Sequence, residues 1–243
     1  MSLKERLKIW YDNEKRLSLL QRTAKEIRSY AVQKKVLGTL LACLVALTSI
    51  LYITAALYKN TGSFTVGIDK VDLSKYGISL SETRDMQFAS SHLNAKINEK
   101  ITNISEEDLP ENLDMIDGEH NGLDYIAYTF YLKNYGEIDI SFEYELTISN
   151  ITKGIDDAVR VRLYTNGEYV NYAKTASDGS GPEPGTTEFY SSGIVTKGRI
   201  DNLSIGEMVR YTVVIWLEGD DPDCVDRVLD GLAKFEMNFD VVH

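Results

Sequence analysis

Residues 124–149 read DYIAYTFYLKNYGEIDISFEYELTIS, and their spacing sets the fold class. From Tyr125 to Asn134 aromatic and β-branched residues alternate, a Tyr-rich face against a mixed one, as in a strand. The Asn134-Tyr-Gly136 stretch turns the chain. A second alternating run then places Ile140, Phe142, Tyr144, Leu146 and Ile148 on one side. Asp139, Ser141, Glu143, Glu145 and Thr147 fall on the other, which predicts a half-buried strand with one wet face.

Working outward, residues 158–174 (AVRVRLYTNGEYVNYAK) hold the strongest hairpin signal in the chain. Asn166-Gly167 supplies the positive φ values that a two-residue primed turn requires. Residues 175–187 (TASDGSGPEPGTT) read as a loop. Further strands are predicted near 193–200, 207–217 and 234–242, and an early one over 64–68 (FTVGI). The acidic stretch 106–121 reads as loop. Residues 81–104 are ambiguous, with a short helix over 88–100 as one reading. Many short strands with turn signals between them predict a mainly β domain over residues 59–243, an antiparallel sandwich of jelly-roll or Ig-like type.

Before that domain stands VLGTLLACLVALTSILYITAALY, residues 36–58, with no charged residue. A run this long reaches the ~20 residues that cross a bilayer core, and only a helix satisfies its backbone there. Residues 1–35 are rich in Leu, Lys, Arg and Glu without Gly or Pro, which predicts a helix. Leu3, Leu7, Trp10, Leu17, Leu20, Ala24, Ile27 and Ala31 recur at helical spacing, giving a basic amphipathic helix suited to anionic lipid or to a docking partner. A long N-terminal amphipathic and transmembrane helix is therefore expected ahead of the β domain.

Charge divides at the same place. The first 35 residues carry ten Lys/Arg against four Asp/Glu, whereas residues 59–243 carry sixteen against thirty-three. Basic residues beside a span stay cytoplasmic, so the expected topology is a single-pass cell-membrane protein, N-terminus inside and C-terminal domain extracellular. The acidic outer part argues against nucleic-acid partners. Thr54-Ala55-Ala56 offers small residues for cleavage after Ala56. The basic segment and the apolar run are both longer than an export signal needs, so an uncleaved signal-anchor is expected.

Chemistry-bearing motifs are few. His92, His120 and His243 lie in no zinc-like spacing, and neither a nucleophile elbow nor a glycine-rich phosphate loop occurs. No enzyme activity, catalytic residue or small-molecule substrate is predicted. Cys43 and Cys224 lie on opposite sides of the span's boundary and form no disulfide framework. Cys224 reads as a buried thiol, or else as one that pairs between chains. Asp220, Asp221, Asp223 and Asp226 follow the strand YTVVIWL and form a candidate Ca²⁺ site by their hard oxygen ligands; no other cofactor is expected. The alternative reading gives Asp221-Pro222 a turn, with Asp223 or Asp226 capping a short helix over 225–229.

Sheet edges offer a different kind of function. Residues 64–73 (FTVGIDKVDL), led by Phe64, Val66 and Ile68, are a candidate first strand or donor strand for self-assembly. The stretch TGSFTVGIDKVDL (61–73), the strand YIAYTFYLKN and the closing VVIWLEGDDPDCVDRVLDGLAKFEMNF (213–239) resemble TasA/camelysin-type proteins, Gram-positive surface and biofilm-matrix proteins. That resemblance, over about residues 60–243, implies a jelly-roll-like ectodomain, extracellular placement and polymerisation by strand donation. The long basic front departs from the family's short cleaved signals and implies a membrane-tethered variant. Two functions follow as expectations: a tethered structural, adhesive or fibre-anchoring protein, or a signalling accessory whose ectodomain senses and whose N-terminal helix binds a cytoplasmic partner.

Overall fold

The computed structural model describes residues 3–59, 63–69, 72, 75–95 and 101–242. They form two compact units, residues 1–59 and 60–243.

The first unit is one helix, α1 (Leu3–Lys59), 57 residues long. It passes Lys34-Lys35 without a break, so the boundary expected at residue 35 is one of composition, not of fold. Within it, Ile27–Thr54, whose most apolar 18-residue window has a mean hydropathy of 2.4, is long and apolar enough to cross a membrane. Hydroxyls in this stretch are satisfied along the helix itself: Thr39 Oγ1 donates to Lys35 C=O at 2.9 Å and Ser49 Oγ to Val45 C=O at 2.8 Å. Upstream, Leu3, Leu7, Trp10, Leu17, Leu20 and Ile27 are exposed, and so are Ile9, Tyr11 and Val32.

The second unit contains β1 (Ser63–Ile68), β2 (Ile78–Ser81), β3 (His92–Ala95), β4 (Asn103–Ile104), β5 (Gly118–Glu119), β6 (Tyr125–Asn134), β7 (Ile140–Ser149), β8 (Val159–Thr165), β9 (Glu168–Ala173), β10 (Thr187–Glu188), β11 (Ile194–Leu203), β12 (Met208–Glu218) and β13 (Lys234–Val242). One sheet has the order β11-β7-β13-β1-β3. The other runs β10-β9-β8-β12-β6-β2, with β4 added on β12 and β5 on β6.

Both sheets are mixed, which corrects the expectation of purely antiparallel pairing. β1 runs parallel to β13, β10 to β9 and β4 to β12. β1 and β13, and β4 and β12, are not consecutive along the chain, and β9 and β10 are joined by the long 174–186 connection, so no tight hairpin forces any of these pairs antiparallel. A second correction concerns residues 88–100. His92–Ala95 is extended and pairs with β1, because the open side of β1 rewards a strand over local helix propensity; residues 96–100 lie outside the described residues.

The two sheets face one another across a shared apolar core. Phe64 on β1 meets Tyr128 on β6 edge-on, with ring centroids 5.7 Å apart. Phe130 meets Phe239 at 6.1 Å and Tyr144 meets Tyr211 at 5.5 Å. As its alternation predicts, β7 buries Ile140, Phe142, Leu146 and Ile148 and exposes Glu143. Gly198 on β11 leaves room for the Tyr144 ring: a Cβ there would stand 2.2 Å from Tyr144 Cζ.

The turn after β6 does not close a hairpin but carries the chain into the other sheet. Asn134, fully buried, holds this corner. Its Nδ2 donates to the carbonyls of Ile138 (2.9 Å) and Leu203 (3.0 Å), while its Oδ1 accepts from Gly136 N–H at 2.9 Å. The Asn166-Gly167 turn does close its hairpin, with φ of 53° and 99°, and pairs β8 with β9 in register.

Candidate functional site

The hairpin strand VRVRLYT has period two, so its side chains divide between faces. Val159, Val161 and Leu163 enter the core between the sheets. Arg160, Arg162 and Tyr164 point to the outer face of the second sheet. Pairing adds neighbours on that face: Tyr169 and Asn171 on β9, Val214 and Trp216 on β12. The segment after β4 folds over it, and Leu109 and Leu113 pack against Ala127, Tyr164, Val214 and Trp216. This cover is why β6 and β12 are buried on both faces.

Where the cover stops, two arginines lie nearly out of contact with water, Arg160 at 2% exposure and Arg162 at 7%. Buried charges need partners. Arg160 Nη2 donates to Asp221 Oδ2. Arg162 donates from Nε to Asn171 Oδ1 at 2.7 Å and from Nη2 to Glu106 Oε1 at 2.5 Å. Asn171 Nδ2 donates to the same Glu106 oxygen at 2.7 Å. The Arg162 guanidinium also lies 4.4 Å from the Tyr169 ring centre and 5.6 Å from that of Trp216. Trp216 Nε1–H in turn donates to Glu218 Oε2 at 2.9 Å, which accepts Glu106 N–H as well.

These groups floor an open cleft of about 570 Å³ between the 105–107 turn, the 183–186 loop and the 218–221 loop. Six carboxylates line it (Glu106, Glu107, Glu183, Glu218, Asp220 and Asp221) against the two guanidinium groups. Tyr169 forms a half-exposed aromatic wall. Neither His92 nor His120 lines the cleft, so among the described residues the Ser105 hydroxyl that donates to Asp220 Oδ2 at 2.6 Å has no imidazole base beside it. The arrangement suits binding: fixed charge, an aromatic surface and carboxylates facing solvent.

The four aspartates singled out from the sequence are not brought together. Asp221 is committed to Arg160, Asp220 accepts from Ser105, and Asp223 accepts from Ser177 N–H at 2.9 Å and from its hydroxyl. Asp226 opens a one-turn 3₁₀ helix, Asp226–Val228. Among the described residues no three His, Cys, Asp or Glu side chains are grouped to hold a metal ion. The capping reading is corrected too: that turn's N-cap is Val225, with no side-chain cap. Asp223 instead ties down the 175–187 loop, and the Ser177 hydroxyl beside it holds its carboxyl below the usual range. Cys224 is half-buried, and burial pushes its thiol above the usual value.

Phe64, Val66 and Ile68 are all core residues, at 0%, 0% and 2% exposure. Their strand, β1, is the first of the domain, as expected. It lies inside its sheet, between β13 and β3, and so is not a free edge.

Arg160 and Arg162 were not among the residues singled out from the sequence. Their signal was the V-R-V-R-L-Y alternation itself: two cations on the non-core face of a strand, in a domain where carboxylates outnumber cations twofold.

No family model matches the chain, and no curated protein matches it. Two solved structures of β-glucosidase from Kluyveromyces marxianus, one in complex with glucose and one Se-Met labelled, resemble it at 10% and 12% identity, over 66% of this chain. Their TM-scores are 0.23 and 0.25, and the chain spans 15% and 17% of their length. Likeness at that level carries no statement about fold or activity.

Proposed function

We propose that this is a membrane-tethered surface protein whose acidic β domain, a sandwich of jelly-roll or Ig-like kind, acts outside the cell in structure, adhesion or assembly and not in catalysis. One observation carries this reading. A helix long and apolar enough to span a bilayer is followed, three residues after its end, by β1, whose Phe64, Val66 and Ile68 belong to the domain core. A domain pinned by its first strand to a spanning helix is a domain held at a surface. The basic segment before the span and the acidic domain after it support an inside-to-outside orientation. Rings meeting between the sheets support the sandwich, and the TasA/camelysin-like stretches support the surface placement.

Topology is tested with Cys43→Ser/Cys224→Ser protein carrying either Ser18→Cys or Ile205→Cys. A membrane-impermeant maleimide added to intact cells should label position 205 and spare position 18. Labelling of 18 alone reverses the orientation, and recovery of the β domain in the medium removes the tether.

Self-assembly on this reading proceeds by exchange of β1 between copies, each β1 entering between β13 and β3 of another chain. A lock tests it. Ile68 N–H donates to Ser91 C=O at 3.0 Å, so by alternation Thr65 and Asn94 form a non-hydrogen-bonded pair, the spacing a disulfide accepts. Oxidised Thr65→Cys/Asn94→Cys protein should stay monomeric and regain assembly on reduction. Assembly unchanged by the lock rules out exchange of β1 alone.

The exposed Leu3, Leu7, Trp10, Leu17 and Leu20 on α1 favour a second reading, an accessory subunit whose N-terminal helix docks a cytoplasmic partner. Deleting residues 2–30 separates the two: surface placement and assembly that survive leave this helix a topogenic role only.

A further inference from the structure

Beside the acidic cleft the second sheet has an open edge. β10 covers β9 only at Tyr172 and Ala173. Phe189 N–H donates to Ala173 C=O at 2.9 Å, so Ala173 turns its backbone away from β8. Backbone direction alternates along an antiparallel strand, so Asn171 and Tyr169 turn theirs away as well. The pairing of Thr187 with Tyr172 takes the Asn171 C=O, and no backbone partner meets Tyr169 on that side among the described residues. This stretch of β9 offers the N–H and C=O of Tyr169 and the N–H of Asn171 to an incoming extended chain. Tyr169 and Val170 are 52% and 42% exposed, and no proline or bulge interrupts the strand.

The cleft opens at the same residues. Tyr169 is its aromatic wall, and Glu183 and Thr186 of the loop leading to β10 form its rim. Its charge is unbalanced by six carboxylates to two guanidinium groups, and both guanidinium groups are already paired, Arg160 with Asp221 and Arg162 with Glu106 and Asn171. The side-chain carboxylates of Glu107 and Glu183 accept no hydrogen bond among the described residues. A side chain fitting this space carries positive charge, and its stem lies against the Tyr169 ring.

We infer that the β domain binds an extended segment of another protein, added as a strand along residues 168–171 of β9, with a lysine or arginine side chain inserted into the cleft over Arg160 and Arg162. Backbone pairing supplies register and the pocket supplies selectivity, the division of labour seen in strand-addition modules. This site is separate from β1 and holds whether or not the domain assembles through that strand. Excess negative charge also speeds the approach of a basic segment and makes binding weaken with salt.

The test is a selection of random decapeptides on the immobilised full-length protein in detergent, with the best sequence then synthesised. Recovered peptides should carry Lys or Arg at one fixed position, flanked by alternating β-branched residues. The synthetic peptide should lose about tenfold or more in affinity to Glu107→Gln/Glu183→Gln protein, whose two side chains make no internal hydrogen bond to lose. N-methylation of its alternate backbone nitrogens should abolish binding while leaving the cation in place. Peptides without a basic residue, unchanged affinity for the double variant, or tight binding by the N-methylated peptide would each overturn the inference, as would recovery of no peptide at all.

Discussion

Arg160 on β8 and Asp221 in the loop after β12 form an ion pair in which each side chain is 2% exposed. Sixty-one residues separate them along the chain, so the pair fastens the Asp-Pro-Asp loop to the hairpin. Breaking such a pair by removing one charge costs ~3–5 kcal/mol, because the other is left buried alone. Asp221→Asn should therefore lower the unfolding free energy of the full chain in detergent by about that much. The double variant Arg160→Met/Asp221→Leu should be less destabilised than either single change. A double variant as weak as the sum of the singles would contradict the pairing.

Arg162 makes a more specific demand. Its flat guanidinium holds Asn171 and Glu106 at once and lies between Tyr169 and Trp216. Lysine keeps the charge but neither the fork nor the flat stacking surface. Arg162→Lys should cost ~2 kcal/mol in unfolding free energy. With Trp10→Phe as background, Trp216 is the sole tryptophan, and its emission should shift to the red as the cleft floor loosens. Unchanged emission would mean that Arg162 does not order the indole.

At the corner between the sheets, the Asn134 amide donates two hydrogen bonds and accepts one, all from backbone groups. A carboxylate of the same shape can donate none. Asn134→Asp should cost ~3 kcal/mol or more, since the carbonyls of Ile138 and Leu203 would face an unpaired anion. Thermal unfolding measured at neutral pH and again near pH 4 should show part of this loss recovered in acid, where the side chain regains a proton.

Much of this architecture was readable because its signals are local. Period-two alternation marked β6 and β7, and Asn166-Gly167 marked the hairpin of β8 and β9. Pairings between distant segments left no such mark. Nothing within residues 63–68 reveals that the strand lies parallel to β13, and nothing near Ala95 reveals that β1 draws residues 92–95 out of a helix. The cleft was half legible. The V-R-V-R alternation carries a signal of its floor that the sequence reading passed over, whereas the partners of Arg160 and Arg162 come from residues 106, 171 and 221, which only the fold brings together. Taken alone, the Asp220–Asp226 carboxylates read as a cation site, and the groups that engage them, Arg160 on Asp221, Ser105 on Asp220 and Ser177 on Asp223, lie far off in the sequence.

The contact between Gly198 and Tyr144 gives a sharper test of packing. A methyl group at 198 would stand 2.2 Å from the Tyr144 ring, and that ring cannot swing freely because Tyr211 and Phe239 lie against it at 5.5 Å and 6.3 Å. Gly198→Ala should cost ~1–3 kcal/mol through overpacking. Adding Tyr144→Leu should recover part of that loss, giving a coupling energy that a double-mutant cycle measures directly. Additive losses would show that the ring has another way out.

Asp240, near the end of β13, is raised above the ordinary aspartate value by partial burial and then by Asp72, Asp69, Glu145 and Glu143 around it. A carboxyl whose folded pKa lies above its unfolded one favours the folded state fully below the unfolded pKa. That contribution is lost as pH rises through the folded value. At pH 7 the group is ionised in both states and repels its neighbours in the folded one. Asp240→Asn should therefore stabilise the protein at pH 7, by no more than a few tenths of a kcal/mol because solvent screens an exposed group. The gain should vanish below about pH 3.5, where aspartate is protonated folded or unfolded. It should also shrink in 0.5 M salt, which screens the surrounding carboxylates. Paired thermal melts of wild type and variant at pH 7 and pH 3.5 measure this, and a variant less stable at pH 7 would show that the Asp240 carboxylate is held by attraction and not by repulsion.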